Sequence, residues 1–211
     1  MQNKKTENKP VILIGFEKAS LMGDFVDQFQ SHGYQPTIVS VDDFLAEKTD
    51  HSTPHIICVS LDLVLRKQLA DIIDDKQIET FTFVHDLAEV AQDAQIGPGS
   101  YVGPFCAIGS KSIIEKHCSI APYSMVAHKA KVGRGTLLHP NSIVAGSSSI
   151  GQFCRLSLRA TVIDHVKVCD YVELGAGALL TKDITESGKY LGSPARKISI
   201  PYACRIHLET N

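Results

Sequence analysis

Stepping six residues at a time from Val90, the chain places Ile96, Val102, Ile108, Ile114, Ile120, Val126, Val132, Leu138, Val144, Ile150, Leu156, Val162, Val168, Leu174 and Leu180 at the same phase, so that all sixteen positions are aliphatic. Four places after each of the first twelve stands a small residue, from Ala94, Ser100 and Cys106 through to Cys154 and Ala160. Val166, Val172, Ala178 and Ile184 continue that second series with slightly larger side chains. A period of six is too short for a helical repeat unit and out of phase with an amphipathic helix. It suits short strands joined by tight corners, three to a coil, each hexad sending one large and one small side chain inward, with coils stacked roughly 4.8 Å apart. The fifteen steps from Val90 to Leu180 amount to five such coils. The ladder is required by the fold whatever the protein does, so chemistry must be sought where a residue departs from the hexad's preference.

An uninterrupted run of this kind is the hexapeptide signature of a left-handed parallel β-helix. The first half of the chain has a different period. The apolar run Val11 to Ile14 looks like a buried parallel strand, and Gly15 breaks it. Leu21, Met22, Phe25, Val26 and Phe29 then fall at helical spacing, with Gly33 as a stop. "TIVSV" reads as a second strand ending at Asp42 and Asp43, "HIICVS" as a third, and "LRKQLADIIDDKQ" as a second helix. Alternation of strand and helix predicts a small Rossmann-like βαβ domain with a parallel sheet. The expected organisation is a polar tail over residues 1–10, the βαβ domain over 11–86, the β-helix over 87–185 and a C-terminal tail over 186–211.

A formal charge of −2, spread along the sequence, gives no reason to expect nucleic acid or an anionic membrane as a partner. No apolar run approaches the roughly 18 to 20 residues that span a bilayer, and no signal peptide stands out, which makes a cytoplasmic location the default. Six cysteines lack CxxC spacing. Three of them, Cys106, Cys118 and Cys154, occupy the small inward position, so packing accounts for them in reduced form.

The position after each large aliphatic residue is mostly Gly or Ala, and His139 breaks that pattern. One place further along, His128 stands out, and one coil of eighteen residues later the stacked site is Gly146. A histidine beside a glycine of the next coil sets a base next to exposed backbone N–H, the two elements an acyl transfer needs. A lone histidine on a solenoid surface is more often incidental, and a zinc site of the γ-carbonic-anhydrase kind would need three converging imidazoles. The positions stacked around His128 are instead Ser110, Gly146 and Asp164, with His139 and His165 at no matching offset.

The end of the repeat, "VKVCDYVELGAGALLTKDI" followed by "YLGSPARKI", is similar to the terminal coil of the bacterial sugar acetyltransferases that include sialic acid O-acetyltransferases and UDP-4-amino-sugar N-acetyltransferases. The resemblance covers roughly residues 10 to 200. It implies a nucleotide-sugar-binding βαβ domain ahead of the β-helix, a homotrimer, no metal, and acetyl-CoA lying between neighbouring helices. Counting hexads back, "VAHKAKVG" falls on the family's E-H-D or E-H-E motif, so the resemblance makes His128 the general base. It makes Gly146 the backbone donor to the thioester carbonyl, and puts Leu137, Leu158 and Ala176 along the coenzyme channel. Gly15, Asp42 and Asp43 take the positions that meet the nucleotide, while a turn and helix N-cap ahead of "FLAEK" accounts for the two aspartates equally well.

Three departures stand beside these matches. The acidic neighbours of the family's histidine are here Ala127 and Lys129, and a lysine close by would hold an imidazole below its ordinary pKa of about 6.5. Leu137 replaces a histidine that many relatives set against the coenzyme, with His139 two residues on. The glycine-rich phosphate loop has become "GFEKASLMG", in which only Gly15 survives and Phe16, Glu17 and Lys18 crowd the approach. A degenerate, non-catalytic scaffold with the same coils is the alternative reading that these departures support.

Overall fold

The computed structural model describes residues 9–15, 20–46, 48, 49, 51–57 and 62–199, with backbone alone for 20–24. Phe16, Glu17 and Lys18, most of the expected N-terminal tail and everything after residue 199 lie outside the described residues. The first unit is a three-stranded parallel sheet in which β1 (Lys9–Gly15) lies between β2 (Tyr34–Ser40) and β3 (His55–Ile57). Helix α1 (Ser20–Ser31) connects the first two strands, the short α2 (Val41–Leu45) follows β2, and α3 (Leu63–Asp75) follows β3. Alternate residues of β1 feed two separate clusters: Val11 and Leu13 pack with Phe29 of α1, while Ile12 and Ile14 pack with Phe44 of α2 and Leu69 and Ile73 of α3.

The remainder winds into a three-sided parallel β-helix. Its first face begins with β4 (Phe83–Val84) and continues through Tyr101–Val102, Ser119–Ile120, Leu137–Leu138, Arg155–Leu156 and Val172–Leu174. The second runs from Glu89–Val90 to Leu179–Leu180 in six strands, and the third from Gln95–Ile96 to Lys167–Val168 in five. Partners across each face differ by 18 residues, as in Val126 with Val144 and Val144 with Val162. From Val102 onward the aliphatic residue of every hexad is buried, forming one continuous core with Cys106, Cys118, Cys154 and the other small inward residues.

The solenoid has about six coils, one more than five. The extra rung is β4, which pairs with Tyr101–Val102. Its outward residue, Phe83, lies in the same cluster as Val11, Leu13 and Phe29, so the stretch reads as the end of the first domain while its backbone already belongs to the helix. At the other end the coil shortens: Ile184 bridges back to Val168, and Leu174 pairs with Tyr190. The hexad phase is lost there, so Gly188–Leu191, which sequence places in a tail, adds another strand to the first face and turns back through Arg196–Lys197.

From the third corner on, the turns pass through a left-handed residue. From Gly99 to Gly177, stepping by six, fourteen successive residues have φ between 47° and 71°, among them Phe105, Lys129, Phe153 and Tyr171. At most of these corners the N–H donates to a corner carbonyl of the coil below, as Ser147 N–H does to His128 C=O at 2.9 Å. Inside the corners the small residues act as donors. Ser100, Cys106, Cys118, Ser124, Thr136 and Cys154 each donate to the carbonyl fifteen residues later, for example Thr136 Oγ1 to Gly151 O at 2.9 Å and Cys118 Sγ to Gly133 O at 3.2 Å. Burial pushes the Cys118 and Cys154 thiols up to about 12, so they act as packed, protonated donors.

The first unit is bolted to the third corner. Arg66 of α3, fully buried, donates to the carbonyls of His117 at 2.5 Å, Gly135 at 2.9 Å and Ile57 at 3.4 Å, and to Ser119 Oγ at 2.9 Å. Around it, Asp74 meets Lys116 and Arg134, each at 2.7 Å, and His117 Nε2 at 3.1 Å, while Asp71 takes Arg134 Nη1 at 2.8 Å. Phe153, at a left-handed corner, is 1 % exposed within the cluster of Ile12, Ile14 and Ile73. Among the described residues no helix is long and apolar enough to cross a membrane.

Partial burial works against the Asp74 carboxylate, but Lys116, His117 and Arg134 outweigh it and hold the pKa below its ordinary 3.8. A carboxylate depressed on folding contributes stability that is present above the unfolded value and lost as pH falls through the folded one. Asp74→Asn is therefore expected to lower the urea midpoint at neutral pH. Wild type and variant should converge as pH falls below 3.8, and midpoints that stay equally far apart would assign the loss to shape instead.

Candidate active site

The corner between the second and third faces stacks Ser110, His128, Gly146 and Asp164 in one column, because the strands before them pair in register at 18-residue spacing. His128 is exposed and its ring leans up over Gly146. A Cβ built on Gly146 would sit 2.5 Å from His128 Cε1, 2.7 Å from Nε2 and 3.2 Å from Nδ1. Gly146 has no need of glycine for its own backbone, since its φ is not in the left-handed region. What requires the missing side chain is the imidazole. The Gly146 carbonyl accepts from His165 N–H at 3.0 Å, while its N–H has no partner among the described residues.

That unpaired N–H beside a ring nitrogen can do two things together: accept a proton from an attacking group and donate to an oxygen on which charge develops. Beneath the histidine, Gly109 is a purely steric glycine, whose Cβ would lie 2.6 Å from His128 N. Ser110 Oγ donates to Asp93 Oδ2 at 2.9 Å, and Lys111 N–H binds the other carboxylate oxygen at 3.2 Å. Lys129 is exposed at φ 57° and has no ion pair among the described residues, so no carboxylate neighbours His128 in sequence or balances the lysine.

The other expected site residues lie elsewhere on the single chain. Leu158, half exposed, and Ala176 share the corner between the first and second faces, and like Gly146 neither N–H has a partner among the described residues. Leu137 lies on the outward row of the first face, 6 % exposed, between Ser119 and Arg155. His139 is partly buried, and burial, reinforced by Arg155, pushes its imidazole pKa down. In the first unit, Gly15 ends β1 opposite Ser40, at the carboxyl edge of the parallel sheet. Asp43 is occupied locally: Ser40 Oγ, at the N-cap of α2, accepts from its N–H at 3.0 Å and donates to its carboxylate at 2.8 Å, and Lys48 pairs with it at 3.1 Å. Asp42 remains exposed on the first turn of α2. Among the described residues no three His, Cys, Asp or Glu side chains converge as a metal site requires.

Sequence reasoning found this column from spacing alone, but it missed the second face as a surface. The outward row there is Ala107, Met125, Ile143, Thr161 and Leu179, without a charge above Glu89. A hollow of about 350 Å³ opens on it between Met125 and Ser110. Phe105 and Tyr123, 50 % and 57 % exposed, stack at 4.9 Å on its bordering corner. Those aromatic residues sit at corner positions outside the aliphatic ladder, where a hexad count gives no signal.

Comparison with known proteins adds three findings. Residues 78–190 match the family model described as the GMPPB C-terminal domain. Among curated proteins none matches the chain. Among solved structures, PerB from Caulobacter crescentus, in complex with CoA and GDP-perosamine, superposes with a TM-score of 0.79 at 23% identity, covering 90% of this chain and 97% of that one. The acetyltransferase domain of PglB from Neisseria gonorrhoeae, in complex with acetyl coenzyme A, gives 0.78 at 20% identity over 90% of this chain and 100% of the other. WeeI from Acinetobacter baumannii gives 0.74 at 19% identity, again over 90% and 100%. Likeness at this level shows the fold, a small α/β unit followed by a left-handed parallel β-helix.

Gly146→Ala tests whether the ring depends on that glycine. The added methyl group would displace the imidazole, so the His128 ring resonances should shift in a ¹H–¹³C spectrum while the thermal midpoint stays nearly unchanged. A large loss of stability with unmoved ring signals would mean that the backbone, and not the imidazole, is what requires glycine.

Proposed function

We propose that this chain, which belongs to the GMPPB C-terminal domain family across residues 78–190, is an acyltransferase that moves an acetyl group from acetyl-CoA to an amino or hydroxyl group of a sugar. The observation that carries this reading is the imidazole of His128 resting on Gly146 beside an unpaired backbone N–H. Such a pair suits attack on a thioester, which is already activated and requires no covalent enzyme intermediate. The complexes in which PerB and PglB were solved, with CoA and GDP-perosamine and with acetyl coenzyme A, favour the same donor and a nucleotide-linked acceptor. Surface glycan synthesis is the process such a product serves.

In the proposed reaction His128 removes the proton of the acceptor amine or hydroxyl as that atom forms its bond to the acyl carbon. Gly146 N–H donates to the carbonyl oxygen as charge gathers there. The carbon–sulfur bond then breaks and the imidazolium returns its proton to the departing thiolate. Leu158 and Ala176, with unpaired N–H groups on a neighbouring corner, fit an extended chain of amides such as the pantetheine arm. The carboxyl edge of the β1–β3 sheet, at Gly15 and Asp42, is where a parallel sheet holds a nucleotide. Asp43 contributes there by holding Ser40, the N-cap of α2.

On one chain Leu137, Leu158 and Ala176 stand on other faces and corners than His128, so they would meet it only across a boundary between copies. The uncharged outward row of the second face and the Phe105–Tyr123 stack give such a boundary its apolar surface. A head-to-tail contact closing on itself makes a homotrimer, the assembly in which this site would be complete.

Replacing His128 with Ala should lower acetyl transfer to nucleotide-linked amino sugars roughly 10²- to 10⁴-fold, followed by release of free CoA thiol. Calorimetric titration with acetyl-CoA should still show saturable binding by that variant. An unchanged rate would remove His128 from the mechanism, and absence of binding in the wild type would favour the non-catalytic scaffold.

A further inference from the structure

The column that holds His128 has one more member with a chemical use. Gly146 leaves a gap one coil deep above the histidine, and the next residue of the column across that gap is Asp164. His165 N–H bonds to Gly146 O at 3.0 Å and Ser147 N–H to His128 O at 2.9 Å, so the three backbones are tied rung on rung. The imidazole fills the lower interval, its Nε2 2.7 Å from where a Gly146 Cβ would stand. The Asp164 Cβ lies about one rung, roughly 4.8 Å, above that same place, within reach of the ring for a carboxylate turning about χ1. That carboxylate is 69 % exposed, and its contact among the described residues is His165 Nε2 at 3.8 Å, longer than a hydrogen bond.

We propose that Asp164 is the positioning carboxylate of His128, supplied from two coils above in place of an acidic neighbour in sequence. The proposal rests on reading His128 as the general base. Accepting the N–H of one ring nitrogen fixes the tautomer, leaves the other nitrogen free to take the acceptor's proton, and stabilises the imidazolium that results. The other charged groups along this edge are Asp93 and Lys111 below, Lys129 beside the ring, His165, Lys182 and Asp183 above, and Lys131 and Lys167 where the third face begins, with Asp183 taken up by the Lys167 N–H at 2.9 Å. Asp93 is taken up by Ser110 and the Lys111 N–H.

The test compares Asp164→Asn, Asp164→Glu and His128→Ala in the full chain. A carboxylate beside an imidazole raises its pKa, so Asp164→Asn should lower the His128 value, read by NMR titration of the ring, by about one pKa unit. The acid limb of the kcat profile should move to lower pH by the same amount, and kcat at its plateau should fall about tenfold while KM for acetyl-CoA is unchanged. Asp164→Glu should restore both in part, which a merely structural role would not produce. An unchanged ring pKa in Asp164→Asn, or equal losses in the Asn and Glu variants, overturns the assignment. Full activity in His128→Ala would instead overturn the base reading, and the ring titration would still decide whether the two side chains are coupled.

Discussion

The constraint on which the rest depends is the left-handed corner. Fourteen corners in succession place a residue at positive φ, and only three of those residues are glycine. For an ordinary side chain that conformation costs about 1 kcal/mol or more. The cost is offset because the same turn aims the corner N–H at a carbonyl of the coil below and the small inward side chain at a carbonyl of the coil above. Serine, threonine and cysteine are favoured at that inward position because they are both small and donors. Each corner therefore locks its coil to the next at a fixed eighteen-residue stride, and chemistry placed at corners inherits that stride.

This is why the stacking at the candidate site is legible in the sequence. Once Val126, Val144 and Val162 are recognised as one column, the stacking of His128 on Gly146 follows by arithmetic. The direction of the imidazole does not, since it depends on a rotamer and on the absence of a Cβ. Aliphatic periodicity also concealed the ends of the solenoid. Phe83 is outward-facing and joins the first unit's core, and Ile184 closes a coil two residues early. Arg66 left no trace at all in the sequence, because an arginine in an amphipathic helix reads as a solvated one until its carbonyl partners are seen.

The second corner shows how a solenoid brings together side chains that are far apart in sequence. An enzyme with its base on a loop must hold that loop rigid by packing around it. Here the proposed base, His128, stands on a corner whose own carbonyl is engaged by the coil above, and the space for its ring is a missing methyl group in that coil. Lys129 stays at the surface beside it. The space around the imidazole is thus set by residues of successive coils that stand outside the aliphatic ladder.

Phe153 has a further consequence for how the molecule comes into being. The cluster formed by Ile12, Ile14, Phe44 and Ile73 is completed by Phe153, and the cluster on the other side of the sheet by Phe83 and Tyr101. A nascent chain emerges from its N-terminus first. When α3 has just left the ribosome, the early sheet still lacks Phe153 on one face and Phe83 and Tyr101 on the other, and nearly three coils of the solenoid must be wound beyond Tyr101 before Phe153 seals the second face. The first unit is sealed only when the coil that carries Phe153 is wound, and a chain stopped before Phe153 carries an open apolar seam.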